Sequence, residues 1–133
     1  MVYVGSDDHD VYALNAGTGA LLWKYSTGNA VVSSPAVANE VVYVGSFDNK
    51  VYALNAATGA LLWKYTTGYD VYSSPAVANG VVYIGSLDHN VYAFGLTGSD
   101  APALPERPDP QTLSPDLTLP LSRPSAILPA TDE

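Results

Sequence analysis

A chain of 133 residues with formal net charge -8 and only five Lys and Arg is at most one domain, and it lacks the clustered cations that hold nucleic-acid phosphates. It has no cysteine, which excludes disulfides, thiolate metal sites and a Cys nucleophile. No apolar run reaches the ~20 residues of a membrane-spanning helix, and Met1 leads straight into Val2-Tyr3-Val4 without the basic and apolar regions of a signal peptide.

In chain order, Val2-Tyr3-Val4-Gly5-Ser6 reads as a strand, and it recurs as Val42 to Ser46 and as Val82-Tyr83-Ile84-Gly85-Ser86. Val11-Tyr12-Ala13-Leu14 recurs as Val51 to Leu54 and as Val91-Tyr92-Ala93-Phe94. Thr18 to Tyr25 recurs as Thr58 to Tyr65, and Ser33 to Asn39 as Ser73 to Asn79, always at an offset of 40 residues. A gapless period of this length marks stacked repeats. One full unit predicts four strands, at Val31–Ala38, Val41–Ser46, Lys50–Leu54 and Ala60–Tyr65, rich in Val, Tyr, Leu and Trp. Asn39-Glu40 and Asn79-Gly80 fit tight hairpins, and Pro35 and Pro75 fit the start of a strand. In Val41-Val42-Tyr43-Val44 every position is apolar, so both faces of that strand are covered. Sheets stacked face to face satisfy this.

After Phe94 the pattern decays through Gly95-Leu96-Thr97-Gly98, and no Leu-Trp strand follows. From Ser99 onward eight prolines interrupt the chain and aromatic residues vanish, which predicts a disordered or polyproline-like tail. An alternative is that Leu113 to Leu121 supplies the third unit's missing outer edge.

The spacing Ala13, Asn15, Thr18, Gly19, Trp23, repeated as Ala53, Asn55, Thr58, Gly59, Trp63, resembles the tryptophan-docking motif of the PQQ-like (quinoprotein-type) repeat family. WD repeats have a similar period but expect a Gly-His pair and Trp-Asp, whereas Lys24 and Lys64 follow the tryptophans here. The resemblance covers residues 2 to about 98, with Asn15 and Asn55 where the family usually has Asp. It implies an all-β fold, a partial β-propeller of stacked four-stranded antiparallel blades that is open rather than closed. The domain reading is a partial blade at 1–28, a full blade at 29–68, a partial blade at 69–98, and a Pro-rich tail at 99–133. In the family, the Ser-Ser-Pro strand is innermost, and the Trp strand is outermost and stacks on the neighbouring blade. The family also implies a periplasmic or extracellular parent protein.

Candidate sites are few. Asp8, Asp48 and Asp88 occupy one position in successive turns; Asp7-Asp8-His9-Asp10 invites a metal reading, but the second turn offers Lys50 instead, and a hairpin turn accounts for all three. No metal site is expected. His9 and His89 lie in the same turns and lack the nucleophile partner a triad needs. Ser33, Ser34, Ser73 and Ser74 are expected to bond backbone groups at the strand start. Tyr69, Asp70 and Tyr72 replace Asn29, Ala30 and Val32 of the previous unit, and variation on a uniform scaffold marks a candidate partner-binding surface.

The expected function is therefore a non-catalytic propeller segment that binds protein or scaffolds an assembly, similar to relatives of the outer-membrane assembly lipoprotein. Its expected partners are a protein or the remaining blades of a larger propeller, with self-association when isolated and no cofactor. The alternative is a fragment of a PQQ-dependent quinoprotein dehydrogenase, which implies bound PQQ and Ca²⁺.

Overall fold

The computed structural model describes residues 1–96 and 126–129. Three antiparallel sheets follow one another along the chain. The first is β1 (Val2–Gly5), β2 (Asp10–Leu14) and β3 (Leu21–Ser26), in that spatial order. The second is β4 (Ala36–Ala38), β5 (Val41–Ser46), β6 (Lys50–Asn55) and β7 (Leu61–Thr66), again in chain order. The third is β8 (Ala76–Ala78), β9 (Val81–Gly85) and β10 (Asn90–Gly95), with β11 (Ala126–Pro129) on the outer side of β10. This is an open part of a β-propeller, all-β, with no helix among the described residues and hence none there to cross a membrane.

The register repeats with the sequence. Val2 faces Leu14, and Val42 faces Leu54; Ala13 faces Trp23, and Ala53 faces Trp63, each just before a bulge. The hairpins β4–β5 and β8–β9 turn through two residues with positive φ, Asn39 (49°) with Glu40 (61°) and Asn79 (50°) with Gly80 (77°). Two consecutive left-handed residues match the twist of the flanking strands.

The core lies in two layers between the sheets. Val11, Val42, Val44, Tyr52 and Leu54 fill the first, closed by Tyr3, Trp23 and Tyr25. Val41, Tyr43, Val51, Trp63 and Tyr65 meet Val82, Ile84, Tyr92 and Phe94 in the second. The middle sheet thus gives alternate residues to each layer, and all six residues of β5 are buried. Each fully buried valine contributes roughly 1.5–3 kcal/mol. That is why a strand apolar at every position belongs in the middle of a stack.

Two expectations change. The inner strand predicted at Val31–Ala38 is only Ala36–Ala38. Val31 N–H donates instead to Ser6 O, just after β1 (2.9 Å), so residues 27 to 35 form a crossing segment between sheets. Pro35 then has no N–H with which to extend the ladder. The third repeat was expected to lack an outer strand, yet β11 occupies that edge, with Ala93 facing Ala126 and Asn90 facing Pro129. Ala126-Ile127-Leu128 is a proline-free apolar run between Pro124 and Pro129, and a proline is tolerated at a sheet edge. The stretch Leu113 to Leu121 lies outside the described residues, as does the rest of the tail.

Candidate functional site

The turns that join β1 to β2, β5 to β6 and β9 to β10 lie at one end of the sheets, together with the segments crossing from one sheet to the next. The hydrogen bonds show this. Thr27 N–H donates to His9 O (2.8 Å), Phe47 N–H to Ala30 O (3.0 Å) and Leu87 N–H to Asp70 O (2.9 Å). His9, Asn49 and His89 each take positive φ (79°, 67° and 71°) at the same place in their turns, a conformation Asn and His adopt more readily than most residues.

The three aspartates organise this end. Asp48 Oδ2 accepts the N–H of Gly28, in the crossing segment, at 2.9 Å, and it also accepts the Tyr52 hydroxyl. Asp88 Oδ2 accepts Gly68 N–H at 2.7 Å and Tyr92 OH at 2.5 Å, while its Oδ1 accepts Asn90 N–H. Each carboxylate therefore clips the segment arriving from the preceding sheet. A side chain at Gly28 has no room, since its Cβ would sit 2.9 Å from Asp48 Oδ2. Asp8 Oδ2 accepts Tyr12 OH at 2.5 Å and its Oδ1 accepts Asp10 N–H.

Titration follows from these bonds. The Tyr12 hydroxyl holds Asp8 below the usual carboxylate range, with Ser6 contributing. The Lys24 ammonium, 2.8 Å away, does the same for Asp10, aided by Ser26. Burial pushes Asp88 up, but its bonds from Tyr92, Gly68 and Asn90 outweigh that and leave it lowered. Tyr12 is pushed up to about 12, first by its bond to Asp8. Burial, and then the bonds to Asp48 and Asp88, raise Tyr52 and Tyr92.

The carboxylates do not fit a calcium ion. Asp8, Asp48 and Asp88 stand in separate turns, each accepting a tyrosine hydroxyl and at least one backbone amide while Asp48 Oδ1 is buried without a partner, and among the described residues no three His, Cys, Asp or Glu are grouped to hold a metal ion. A Ca²⁺ site needs six or more oxygens converging on one point.

The Trp residues sit between sheets. Trp23 Nε1–H donates to Ala56 O of the second sheet (2.9 Å), which also accepts Tyr3 OH (2.9 Å). The indole lies over Gly59, where a Cβ would be 2.7 Å from Trp23 Cδ2, and Gly59 has φ of 75°. The turn that places Gly59 is built by Asn55, whose Oδ1 accepts Ala57 N–H and Thr58 N–H; Asn15 holds Gly17 and Thr18 in the same way. Thr18 Oγ1 accepts Ala20 N–H, and Thr58 Oγ1 accepts Ala60 N–H. Ala13 and Ala53, each fully buried, lie beside the tryptophans across the ladder. Trp63 packs on Phe94 with ring centroids 4.9 Å apart. Ser33 Oγ accepts Gly45 N–H, Ser73 Oγ bonds both the N–H and the carbonyl of Gly85, and Ser74 Oγ accepts Ser34 N–H.

Tyr69, Asp70 and Tyr72 sit at the turn end. The backbone of Tyr69 and Asp70 is fixed: Ser86 Oγ donates to the carbonyls of Tyr69 (2.9 Å) and Asp70 (3.2 Å). The tyrosine side chains are 56% and 60% exposed, and the Tyr72 ring lies 5.3 Å from that of Phe47. Phe47 and the exposed Leu87 were missed from sequence, though a signal was present. They share one repeat position with Asp7, and three unlike residues at one position of a uniform repeat mark a surface the fold does not constrain. The differences gather here. Apart from Met1, Gly17 and Glu40 against Val41, Ala57 and Gly80, every difference between residues 1–40 and 41–80 lies at this end, at residues 47, 49, 50, 66, 69, 70 and 72. Gly28 and Gly68 were also missed; their recurrence in a Thr-Gly pair was the available signal.

Comparison with known proteins places this arrangement. Residues 7–123 match the sequence-family model described as outer membrane protein assembly factor BamB. No curated protein sequence matches the chain. Among solved structures, BamB from Moraxella catarrhalis is 26% identical with a TM-score of 0.61, over 70% of this chain and 30% of its own. The quinohemoprotein alcohol dehydrogenase ADHIIG from Pseudomonas putida HK5 is 31% identical with a TM-score of 0.62, over 70% of this chain and 17% of its own. A europium-containing methanol dehydrogenase, 23% identical with a TM-score of 0.60 over 70% of this chain and 20% of its own, shares the fold. The chain thus spans less than a third of the length of each of these structures.

Proposed function

Since the chain belongs to the family of PQQ-like propeller repeats described by BamB, we propose that it is a non-catalytic scaffold segment that holds a protein partner at the turn end of its sheets. One observation carries the reading. The repeats keep their packing residues and vary at the end where Tyr69 and Tyr72 stand exposed. Solvated aromatic rings on a rigid backbone supply contact area at low entropic cost, which is what protein interfaces use. Asp70 adds a charge at the same place. A dehydrogenase is also among the similar structures, but among the described residues no three His, Cys, Asp or Glu are grouped to hold a cation.

The test restores the first repeat's residues, as Tyr69→Asn, Asp70→Ala and Tyr72→Val together. With the clips and the docked tryptophans untouched, the thermal midpoint stays within a few degrees, about 1 kcal/mol or less. A partner recovered by cross-linking to the native chain is lost from the variant. Equal capture by both would overturn the reading. Titration with PQQ and Ca²⁺ leaves the midpoint unchanged; a stoichiometric rise would instead favour the quinoprotein alternative.

A further inference from the structure

The patch at the turn end is mixed in character, and the mixture selects what can cover it. Val71 is fully buried, whereas Tyr72 on one side is 60% exposed and Asp70 on the other is partly exposed. The Tyr72 and Phe47 rings lie 5.3 Å apart with their planes inclined by only 30°. The Asp70 carbonyl is held by Ser86 Oγ and Leu87 N–H, but among the described residues no hydrogen bond or ion pair engages its carboxylate. Nearby cations do not neutralise it. Lys24 lies against Asp10 and Lys50 against Asp48, and from Tyr65 to Leu96 the chain has no Lys or Arg. Asp88, the other acid of that stretch, is committed to Tyr92 and Gly68. One repeat earlier the same positions hold Asp7, Ala30 and Val32, so the ring pair with its acid occurs once, where the second and third sheets meet.

We infer that the partner meets this patch with an arginine, its guanidinium laid on the Tyr72 and Phe47 rings and its N–H groups donated to the Asp70 carboxylate. This rests on the partner reading above and names the chemistry of that partner. An apolar side chain covering the rings would strip water from Asp70 and leave a carboxylate unpaired, a penalty that a cation removes. A guanidinium meets both demands. It is planar and weakly hydrated, so it stacks on a ring, and its forked donors match a carboxylate; an ammonium is a compact, strongly hydrated point charge. The net charge of -8 draws a basic segment in and repels an acidic or phosphorylated one.

The test titrates the intact 133-residue chain with a synthetic peptide, acetyl-Gly-Arg-Leu-Arg-Gly amide, and follows the tyrosine and phenylalanine ring signals by NMR. The Tyr72 and Phe47 signals shift and saturate. The same peptide with citrulline, an uncharged replacement of the same shape, leaves them in place, and the lysine version binds about threefold more weakly or worse. Asp70→Asn and Tyr72→Val each weaken the arginine peptide by about threefold or more. Asp70→Asn leaves the thermal midpoint unchanged, because its carboxylate has no bond to lose. Absence of any shift, equal binding of the citrulline peptide, shifts confined to residues 7–10, or undiminished binding by Asp70→Asn overturns the inference. The two readings fail separately. If the cross-linked partner is lost from the triple variant but retained in full by Asp70→Asn, the partner surface stands and the arginine does not; if the triple variant retains the partner, the surface itself is wrong.

Discussion

The three aspartates are one residue type in one repeat position, yet they do not carry equal weight. Asp48 and Asp88 bind the glycine amide of the preceding crossing segment as well as the local tyrosine, whereas Asp8 bonds within its own turn and to Tyr12. Removing Asp48 leaves a backbone amide and a partly buried hydroxyl unpaired, at a cost of about 1–3 kcal/mol. Asp48→Ala is thus expected to destabilise the chain by that amount in urea, and Asp8→Ala by clearly less. The pH dependence has a definite sign. Asp8, Asp10 and Asp88 are all lowered in the folded chain, so their contribution is present above the ordinary carboxylate value, near 4, and is lost as acid protonates them. Tyr12 is raised to about 12, so its contribution is complete below about 10 and fades as pH rises towards 12. Stability measured against pH should be flat between roughly 5 and 9 and fall on both sides. A maximum near pH 3 would contradict these assignments.

At the scale of strands and turns, the close crossing between sheets is the informative feature. A Cβ on Gly45 would strike Val71 Cγ1 and stand 3.0 Å from the Val71 carbonyl, whereas at Gly85 the nearest group is Ser73 Oγ at 3.4 Å. Gly45→Ala is therefore expected to cost about 1–3 kcal/mol by overpacking, and Gly85→Ala to stay within about 0.5 kcal/mol, both read from denaturant midpoints. The strands β5, β6 and β7 were legible in the sequence because their side chains alone decide them. Val and Tyr alternate into two buried layers, and Asn55 to Gly59 bounds them. The inner strand was not, because its fate turns on a backbone bond, Val31 N–H to Ser6 O, between residues that no local pattern relates. The outer strand β11 was missed for a similar reason: its partner β10 lies some thirty residues away in sequence, and composition reports the prolines around it more loudly than the three apolar residues between them.

For the molecule as a whole, the stack is unequal at its ends. The first sheet presents Val2 and Val4, both half exposed, together with the unpaired edge of β1. Exposed apolar faces and open edges promote association. Light scattering at increasing concentration is expected to show a rising mean mass, and Val4→Lys to reduce it. A constant monomer mass for both chains would argue that the face is inert. A stack of β-repeats was legible from the period, and the propeller and its family from the resemblance carried by the Ala-x-Asn-x-x-Thr-Gly-x-x-x-Trp spacing. The candidate site was legible only in part. Tyr69, Asp70 and Tyr72 stood out as departures from the repeat, but their neighbour Phe47 lies in a different turn, brought within reach by the crossing segment.

That crossing segment is gripped through the amides of Gly28 and Gly68, atoms every residue but proline possesses, and through carbonyls such as those of Ala30 and Asp70. The joint between successive sheets therefore rests on the aspartate and serine side chains that bond these backbone groups, and takes no information from the side chains at residues 30 and 32 or their counterparts. Duplication of the unit copies a working hinge along with it, and each copy is then free to drift at residues 29, 30 and 32 or their counterparts without loosening its neighbours. An architecture of this kind can acquire new surface chemistry one repeat at a time, while selection on folding acts only on the parts that remain alike.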